Sequence, residues 1–188
     1  MSANDDKAAP TASDKAVESA SGAGLTCPAF EITRVFKAPH ERVWKAWTNA
    51  DQLQHWWGPK GCAIAVARLE FRPGGFFHYS MAFPGAPLMW GRFNYREIVN
   101  GERIVWLNSF SNENCGIARA PFSESCPLEI ENRVTFTKEA GTTTVSLRAV
   151  PFGELPQERR YFEDLRPSLE EGYGGTFDKL AGALEETT

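Results

Sequence analysis

The sequence lacks several features that would assign it to a large class of proteins at once. Its four cysteines form no Cys-x-x-Cys pair and only three histidines are present, so the spacing argues against a zinc site. It has no Asn-x-Ser/Thr acceptor, no visible secretory signal, and no apolar run near the roughly 20 residues that a bilayer span needs. These absences favour a cytoplasmic protein with reduced thiols, although Cys115 and Cys126 could in principle form a bridge across a loop.

An excess of basic charge and the common catalytic motifs are also missing. The chain carries 20 Lys and Arg against 24 Asp and Glu with no basic block, so no nucleic-acid partner is expected. It contains no Gly-x-Ser-x-Gly, Walker loop, His-Glu-x-x-His or Gly-x-Gly-x-x-Gly motif, and this removes several enzyme classes. We therefore expect neither a metal nor a cofactor.

Aromatic residues are absent before Phe30, although they make up 12% of the chain. Residues 1–29 are rich in Ala and Ser and lack the side chains whose burial would offset the entropy cost of ordering. We predict a disordered tail over 1–29. Residues 30–185 are numerous enough for one domain with a single core.

Alternating apolar residues and turn signals predict a mainly antiparallel domain. A strand is expected at 30–38, followed by short helices at 40–48 and 51–57. Turns such as Asn100-Gly101 are too short for a parallel crossover, so successive strands should pair antiparallel. The exception is the longer loop 112–127, of a kind that is often functional or mobile. The six further strands are predicted at 63–71, 76–83, 88–98, 103–111, 128–137 and 143–150.

Apolar residues at spacings of three and four from Phe162 to Leu184 predict a long C-terminal helix of about eight turns. Pro167 and the glycines Gly172, Gly174 and Gly175 argue against a regular helix and predict either a kink near 167 or local flexibility near 172–175. A seven-stranded antiparallel sheet must cover one apolar face, and this helix is the only long element available. The sheet should therefore curve around the helix and leave a cavity lined mainly by apolar side chains.

Short motifs follow one another along residues 30–185. They are Lys37-Ala38-Pro39, Val43-Trp44-Lys45-Ala46-Trp47, Trp56-Trp57-Gly58-Pro59, Arg72-Pro73-Gly74-Gly75-Phe76-Phe77, Tyr95-Arg96-Glu97-Ile98, Glu102-Arg103-Ile104-Val105 and Glu171-Gly172-Tyr173-Gly174-Gly175-Thr176-Phe177-Asp178-Lys179-Leu180. Together they resemble the START-like (SRPBCC) superfamily, in the branch named for activators of the heat-shock protein 90 ATPase. One departure is Tyr173, where relatives usually carry Trp.

The resemblance implies an α+β helix-grip fold, with a curved seven-stranded antiparallel sheet around a long C-terminal helix and two short helices after the first strand. It implies a cavity but no single activity, because members include lipid and hormone carriers, polyketide cyclases and co-chaperones.

Strand parity and the helix stripe select candidate ligand-binding residues. Packing alone could explain the apolar ones, since each fully buried apolar side chain contributes roughly 1.5–3 kcal/mol. Tyrosine hydroxyls and an asparagine amide need partners when buried, and their presence favours a pocket. Trp57, in the turn after the second helix, is added as a lid, with core packing as the alternative. The other candidates are Phe77, Tyr79, Met81, Phe93, Tyr95, Trp106 and Asn108 on strands, and Leu169, Tyr173 and Phe177 on the helix.

Glu97 is the candidate catalytic residue, with Tyr95 assisting. It continues the parity of Phe93 and Tyr95, so it is expected to face inward, where burial would raise its pKa and suit it to act as a base. The alternative is a salt bridge at the strand end. His78 has the opposite parity and His55 lies on a short helix, so both are expected to face solvent.

Three functions remain open. The leading hypothesis is binding of a small hydrophobic or aromatic molecule in the cavity. The second is a cyclase- or lyase-like enzyme that uses the same cavity, and the third is a co-chaperone that activates a heat-shock ATPase. The sequence leaves open the ligand, any reaction, and whether the protein is a monomer or a homodimer; stable membrane insertion is not expected.

Overall fold

A computed structural model describes residues 27–153 and 155–186. Residues 1–26 of the predicted tail lie outside this range, so the prediction of disorder there stays a prediction. The elements are β1 (Phe30–Phe36), α1 (His40–Thr48), α2 (Ala50–Trp56), β2 (Ala63–Leu69), β3 (Phe76–Ala82), β4 (Met89–Val99), β5 (Arg103–Ser111), β6 (Ile117–Ala118), β7 (Ile130–Glu139), β8 (Thr142–Pro151), α3 (Pro156–Asp164) and α4 (Arg166–Glu186).

The strands form one antiparallel sheet in the order β1-β8-β7-β5-β4-β3-β2. This is the predicted fold class, an antiparallel sheet with a long C-terminal helix. The strands lie close to their predicted positions, because one face of each strand packs on the core and this face appears in the sequence as alternating apolar residues. The eighth strand, β6, pairs with the end of β5 inside the loop predicted at 112–127.

The core lies between the concave face of the sheet and helices α1, α2 and α4. α4 approaches β1, α1 and α2 most closely. Phe177 and Leu180 of α4 are fully buried, and the Phe177 ring meets Phe36 of β1 edge-on at 5.9 Å between centroids. The side chain of Asn49 caps α2 by accepting a hydrogen bond from the amide of Gln52 at 3.2 Å.

The C-terminal helix is divided, whereas the sequence predicts one helix with a kink or local flexibility. α3 ends at Asp164 and α4 begins at Arg166, with Leu165 between them. Pro167 falls in the first turn of α4, where its missing N–H has no partner within the helix. The break therefore lies two residues before the proline. No helix among residues 27–153 and 155–186 is long and apolar enough to cross a membrane.

Candidate ligand-binding site

Seven of the predicted residues form a buried aromatic floor on the core side of the sheet. Phe93 stacks on Trp106 with 4.8 Å between ring centroids, and Trp57 meets Phe93 edge-on at 5.0 Å. Phe77 and Tyr79 stack at 4.6 Å. The floor thus presents ring faces and edges in close mutual contact. Its members are Trp57, Phe77, Tyr79, Phe93, Tyr95, Trp106 and Phe177.

The other four predicted residues are only half-buried, and we call them the open end: Met81, Asn108, Leu169 and Tyr173. Asn108 pairs across the sheet with Phe93 on one side and Ile130 on the other, so all three share the core face. Met81 lies near the end of β3, while Leu169 and Tyr173 lie in the first two turns of α4. Packing is therefore least complete where β3 and β5 finish and α4 begins.

Tyr173 forms a hydrogen bond with a core residue that was not among the predicted site residues. Its hydroxyl donates a 2.9 Å hydrogen bond to Oδ1 of Asn132, which is completely buried on β7. Asn132 in turn donates to the carbonyl of Ile130 at 3.1 Å. Asn132 has the parity of the inward residues Val134 and Phe136, and this was the signal that could have identified it.

The three tyrosines of the floor and the open end are uncharged. Burial raises the pKa of Tyr79, Tyr95 and Tyr173, and the proximity of Tyr79 raises the pKa of the other two further. A hydrogen bond from Trp57 to Tyr79 partly opposes the shift at Tyr79. All three phenols therefore stay protonated near neutral pH, where they can donate hydrogen bonds.

The expectation that Glu97 faces inward with a raised pKa is wrong. A bulge between Tyr95 and Glu97 shifts the register, so Glu97 pairs with Val105 on the outer face, and Val105 in turn pairs with Arg133. The side chain of Glu97 is 43% exposed and lies 2.5 Å from Arg103. The hydrogen bond from Arg103 lowers the pKa of Glu97. This is the alternative salt bridge, whereas Tyr95, before the bulge, does face the core.

His78 lies on the outer face, as its parity predicts, but it is buried and not solvent-facing. Its ring stacks on Trp90 at 4.8 Å and its Nε2 donates to the carbonyl of Asn112 at 3.1 Å. The loop that covers it lies 34 residues away in sequence, beyond the reach of strand parity. His55 is exposed on α2, as expected.

Besides the contact with His78, two arginine side chains fix the loop 112–127 to the rest of the domain. Arg92 donates to the carbonyl of Cys115 at 2.6 Å, where Cys115 has a left-handed φ of 66°. Farther along, Arg119 donates to the buried carboxylate of Glu158 on α3 at 2.9 Å. The cysteines among the described residues are free, so Cys115 and Cys126 do not form the bridge that the sequence left open.

α4 holds the turn that follows α2. The ammonium of Lys179 donates to the carbonyls of Trp57, Gly58 and Cys62 at 3.1, 3.3 and 3.3 Å. Burial lowers the pKa of Lys179. This contact fixes Trp57, which is 6% exposed and packs in the core instead of forming a lid.

Three clefts on the described residues lie outside the predicted interior. One of them, of about 630 Å³, is a groove between α1, α2 and the end of α4. Its walls include Arg42, Asp51, His55 and Leu184 and none of the predicted ligand-binding residues.

A sheet that curves around one long helix, with two short helices after the first strand, defines the helix-grip class. Residues 37–185 match the profile of the family described as Activator of Hsp90 ATPase homolog 1-like protein, and the chain belongs to this family. Comparison with curated proteins gives no match.

Solved structures share the fold at low sequence identity. An Arthrobacter aurescens protein is 22% identical with a TM-score of 0.70, over 85% of this chain and 87% of its own. Protein Ms6760 from Mycobacterium smegmatis is 23% identical with a TM-score of 0.69, over 85% and 92%. DynU16, a protein in the dynemicin biosynthetic locus, is 16% identical with a TM-score of 0.55, over 84% and 47%. These likenesses show the fold.

Proposed function

We propose that this protein binds a small hydrophobic or aromatic molecule between α4 and the concave face of the sheet. The observation that carries the proposal is the open end. Its residues belong to the core face, yet they are half-buried beside a floor of fully buried rings. A binding site of this kind has mainly apolar walls and a few placed polar groups, which here are Asn108 and Tyr173.

The floor suits a flat or aromatic ligand. Phe93 and Trp106 offer ring faces and edges, and aromatic pairs contribute about 0.5–1.5 kcal/mol beyond the area they bury. Entry requires side chains at the open end to move. Met81 has a flexible, unbranched side chain that adapts to irregular shapes, and Leu169 lies in the first turn of α4.

Family membership supports this proposal at a coarse level. The fold is compatible with ligand-binding or polyketide cyclase-like roles in general. A cyclase- or lyase-like reaction in the same interior would have to proceed without Glu97, which lies on the outer face. Tyr95 faces inward, and its raised pKa suits it to donate a hydrogen bond and not to act as a base.

A panel of neutral aromatic, charged aromatic and lipid-like compounds tests the proposal. We expect at least one compound to quench tryptophan fluorescence and raise the melting temperature by several degrees at saturation. Failure of every compound to produce either response would contradict the proposal.

A variant that fills the open end tests whether the ligand binds there. Leu169→Trp should abolish the rise in melting temperature by occupying the entry between α4 and the sheet. Val35→Trp is the control, because Val35 is 57% exposed on the outer face of β1. Unchanged binding to Leu169→Trp would place the ligand elsewhere.

A further inference from the structure

Three buried polar atoms in the interior have no hydrogen-bond partner. They are the indole Nε1 of Trp47, the indole Nε1 of Trp106 and the amide Oδ1 of Asn108. The other unpartnered buried side-chain atoms among the described residues belong to Arg92, Arg103 and Ser111. Those three pair across the sheet with outward-facing positions, so the unpartnered atoms of the interior form a separate set.

The three interior atoms belong to neighbouring side chains. The rings of Trp47 and Trp106 have centroids 6.1 Å apart, and Asn108 lies two residues beyond Trp106 on the same face of β5. Trp47 is 3% exposed and Trp106 is 1% exposed, so bulk water does not reach either ring freely. Two donors and one acceptor left unpaired in the same interior are costly, and a molecule that pairs them recovers this cost.

Among the described residues, the side chains of the floor and the open end carry no charge that could pair with an ionic ligand, and the ammonium of Lys179 on α4 is already bound to three carbonyl groups of the turn after α2. The polar side chains of this interior are neutral, and they include the amides of Asn108 and Asn132 and the phenols of Tyr79, Tyr95 and Tyr173. The fully buried carboxylate among the described residues, Glu158, is paired with Arg119 outside the hydrophobic core. A charged group carried into this interior would lose its hydration without gaining a counter-ion.

We infer that the ligand is a neutral aromatic molecule with a carbonyl oxygen that accepts hydrogen bonds from Trp47 and Trp106. A hydroxyl on the same molecule would donate to Oδ1 of Asn108. This inference rests on the proposed function and sharpens it, because it makes the two indole N–H groups the determinants of which aromatic molecules bind. The aromatic floor selects ligands by their flat shape, and the two indole N–H groups select ligands that carry a hydrogen-bond acceptor.

Three naphthalene probes of nearly equal shape test the inference without any mutation. 2-Acetylnaphthalene carries a carbonyl acceptor, 2-isopropylnaphthalene carries none, and 2-naphthoate carries a charge. We expect the acetyl compound to bind about tenfold more tightly than the isopropyl compound, and the naphthoate to bind most weakly. Equal binding of the first two, or tightest binding of the naphthoate, would overturn the inference and leave the proposed function intact. Binding of none of the three would overturn the inference, while the wider panel decides the proposed function separately.

Substitutions then assign the preference to the indoles. Trp106→Phe and Trp47→Phe each keep a ring and remove one N–H, and either should reduce the preference for the acetyl compound several-fold. Trp90→Phe is the matched control on the outer face and should keep the full preference. A preference that survives in both interior variants would contradict the assignment.

A spectroscopic readout covers the case in which an interior variant does not fold. In the ¹H–¹⁵N spectrum of the unmodified protein, two of the six tryptophan indole N–H resonances should move to higher proton frequency with the acetyl compound than with the isopropyl compound, whose ring acts on them in the same way. Equal shifts with both compounds would show that the indoles sense the ring and do not bind the carbonyl.

Discussion

At the scale of single residues, Gly91 decides where the Tyr79 ring lies. A Cβ atom at position 91 would lie 2.7 Å from both Cζ and the hydroxyl oxygen of Tyr79. The ring crosses β4 at the one place where the strand carries no side chain. Because Tyr79 is 3% exposed and contacts Phe77 and Phe93, it has little freedom to move aside.

Gly91→Ala should therefore destabilise the protein by about 1–3 kcal/mol, through overpacking against the Tyr79 ring. Gly174→Ala is the control with the same chemical change, because nothing lies within 4 Å of the added Cβ. In the interior of α4 this control should stabilise by about 0.5–1 kcal/mol. Urea denaturation of both variants measures the difference. A Gly91→Ala protein as stable as the original would contradict the close contact.

Residue parity was informative only where the strands are regular. It placed Tyr95 and Asn108 on the core face, because strict alternation holds along those parts of β4 and β5. It misplaced Glu97, because the bulge after Tyr95 inserts one residue and reverses the parity beyond it. No glycine or proline marks this bulge in the sequence, so the sequence offered no sign of it.

At the scale of elements, the carboxyl-terminal half of α4 acts as a clamp on the turn between α2 and β2. Lys179 binds three carbonyl groups of that turn, and Asp178 pairs with Lys60 at 2.9 Å. A Cβ at Gly175 would lie 3.2 Å from the Lys60 side chain, so the helix and the turn approach closely there. This clamp brings the motif at 171–180 into contact with the Trp56-Trp57-Gly58-Pro59 motif.

Lys179→Met should cost about 1–2 kcal/mol of stability, since it keeps the length of the side chain but removes the charged donor from three carbonyls. Partial exposure of Lys179 keeps the expected loss modest. Lys45→Met, on the exposed side of α1, is the matched control and should change little. The comparison is made by thermal and urea unfolding. Equal stability of the two variants would show that the clamp contributes nothing.

The elements themselves were predicted closely, and the exceptions have physical causes. Turn signals bounded the strands because glycine permits the backbone conformation that tight turns need, as at Gly101 and Gly141. The division between α3 and α4 was predicted only as a kink near Pro167 or flexibility near 172–175. Phe162 buries α3 against the rest of the domain. Local sequence does not reveal this packing, so it could not predict where the helix breaks.

At the scale of the whole molecule, the covering of the outer face was the least predictable feature. His78 and Arg92 each donate to a carbonyl of the loop 112–127. The loop is also tied to α3 through Arg119. These contacts join parts of the chain that are far apart in sequence, so neither periodicity nor turn chemistry reveals them. The same limit applied to the hydrogen bond between Asn132 and Tyr173, which lie 41 residues apart, although strand parity could have placed Asn132 inside.

The central claim is that the interior between α4 and the sheet is the ligand-binding site of this family member. The aromatic floor and the open end support this claim, while the 630 Å³ groove beside α1 and α2 is the competing location. The two places share no residue, so a structure of a complex separates them without ambiguity.

A crystal structure with the tightest binder of the panel tests the claim most directly. The account predicts ligand density between α4 and strands β3 to β5, in contact with Asn108 and Tyr173. Density confined to the groove lined by Arg42 and His55, with the interior unchanged, would contradict it.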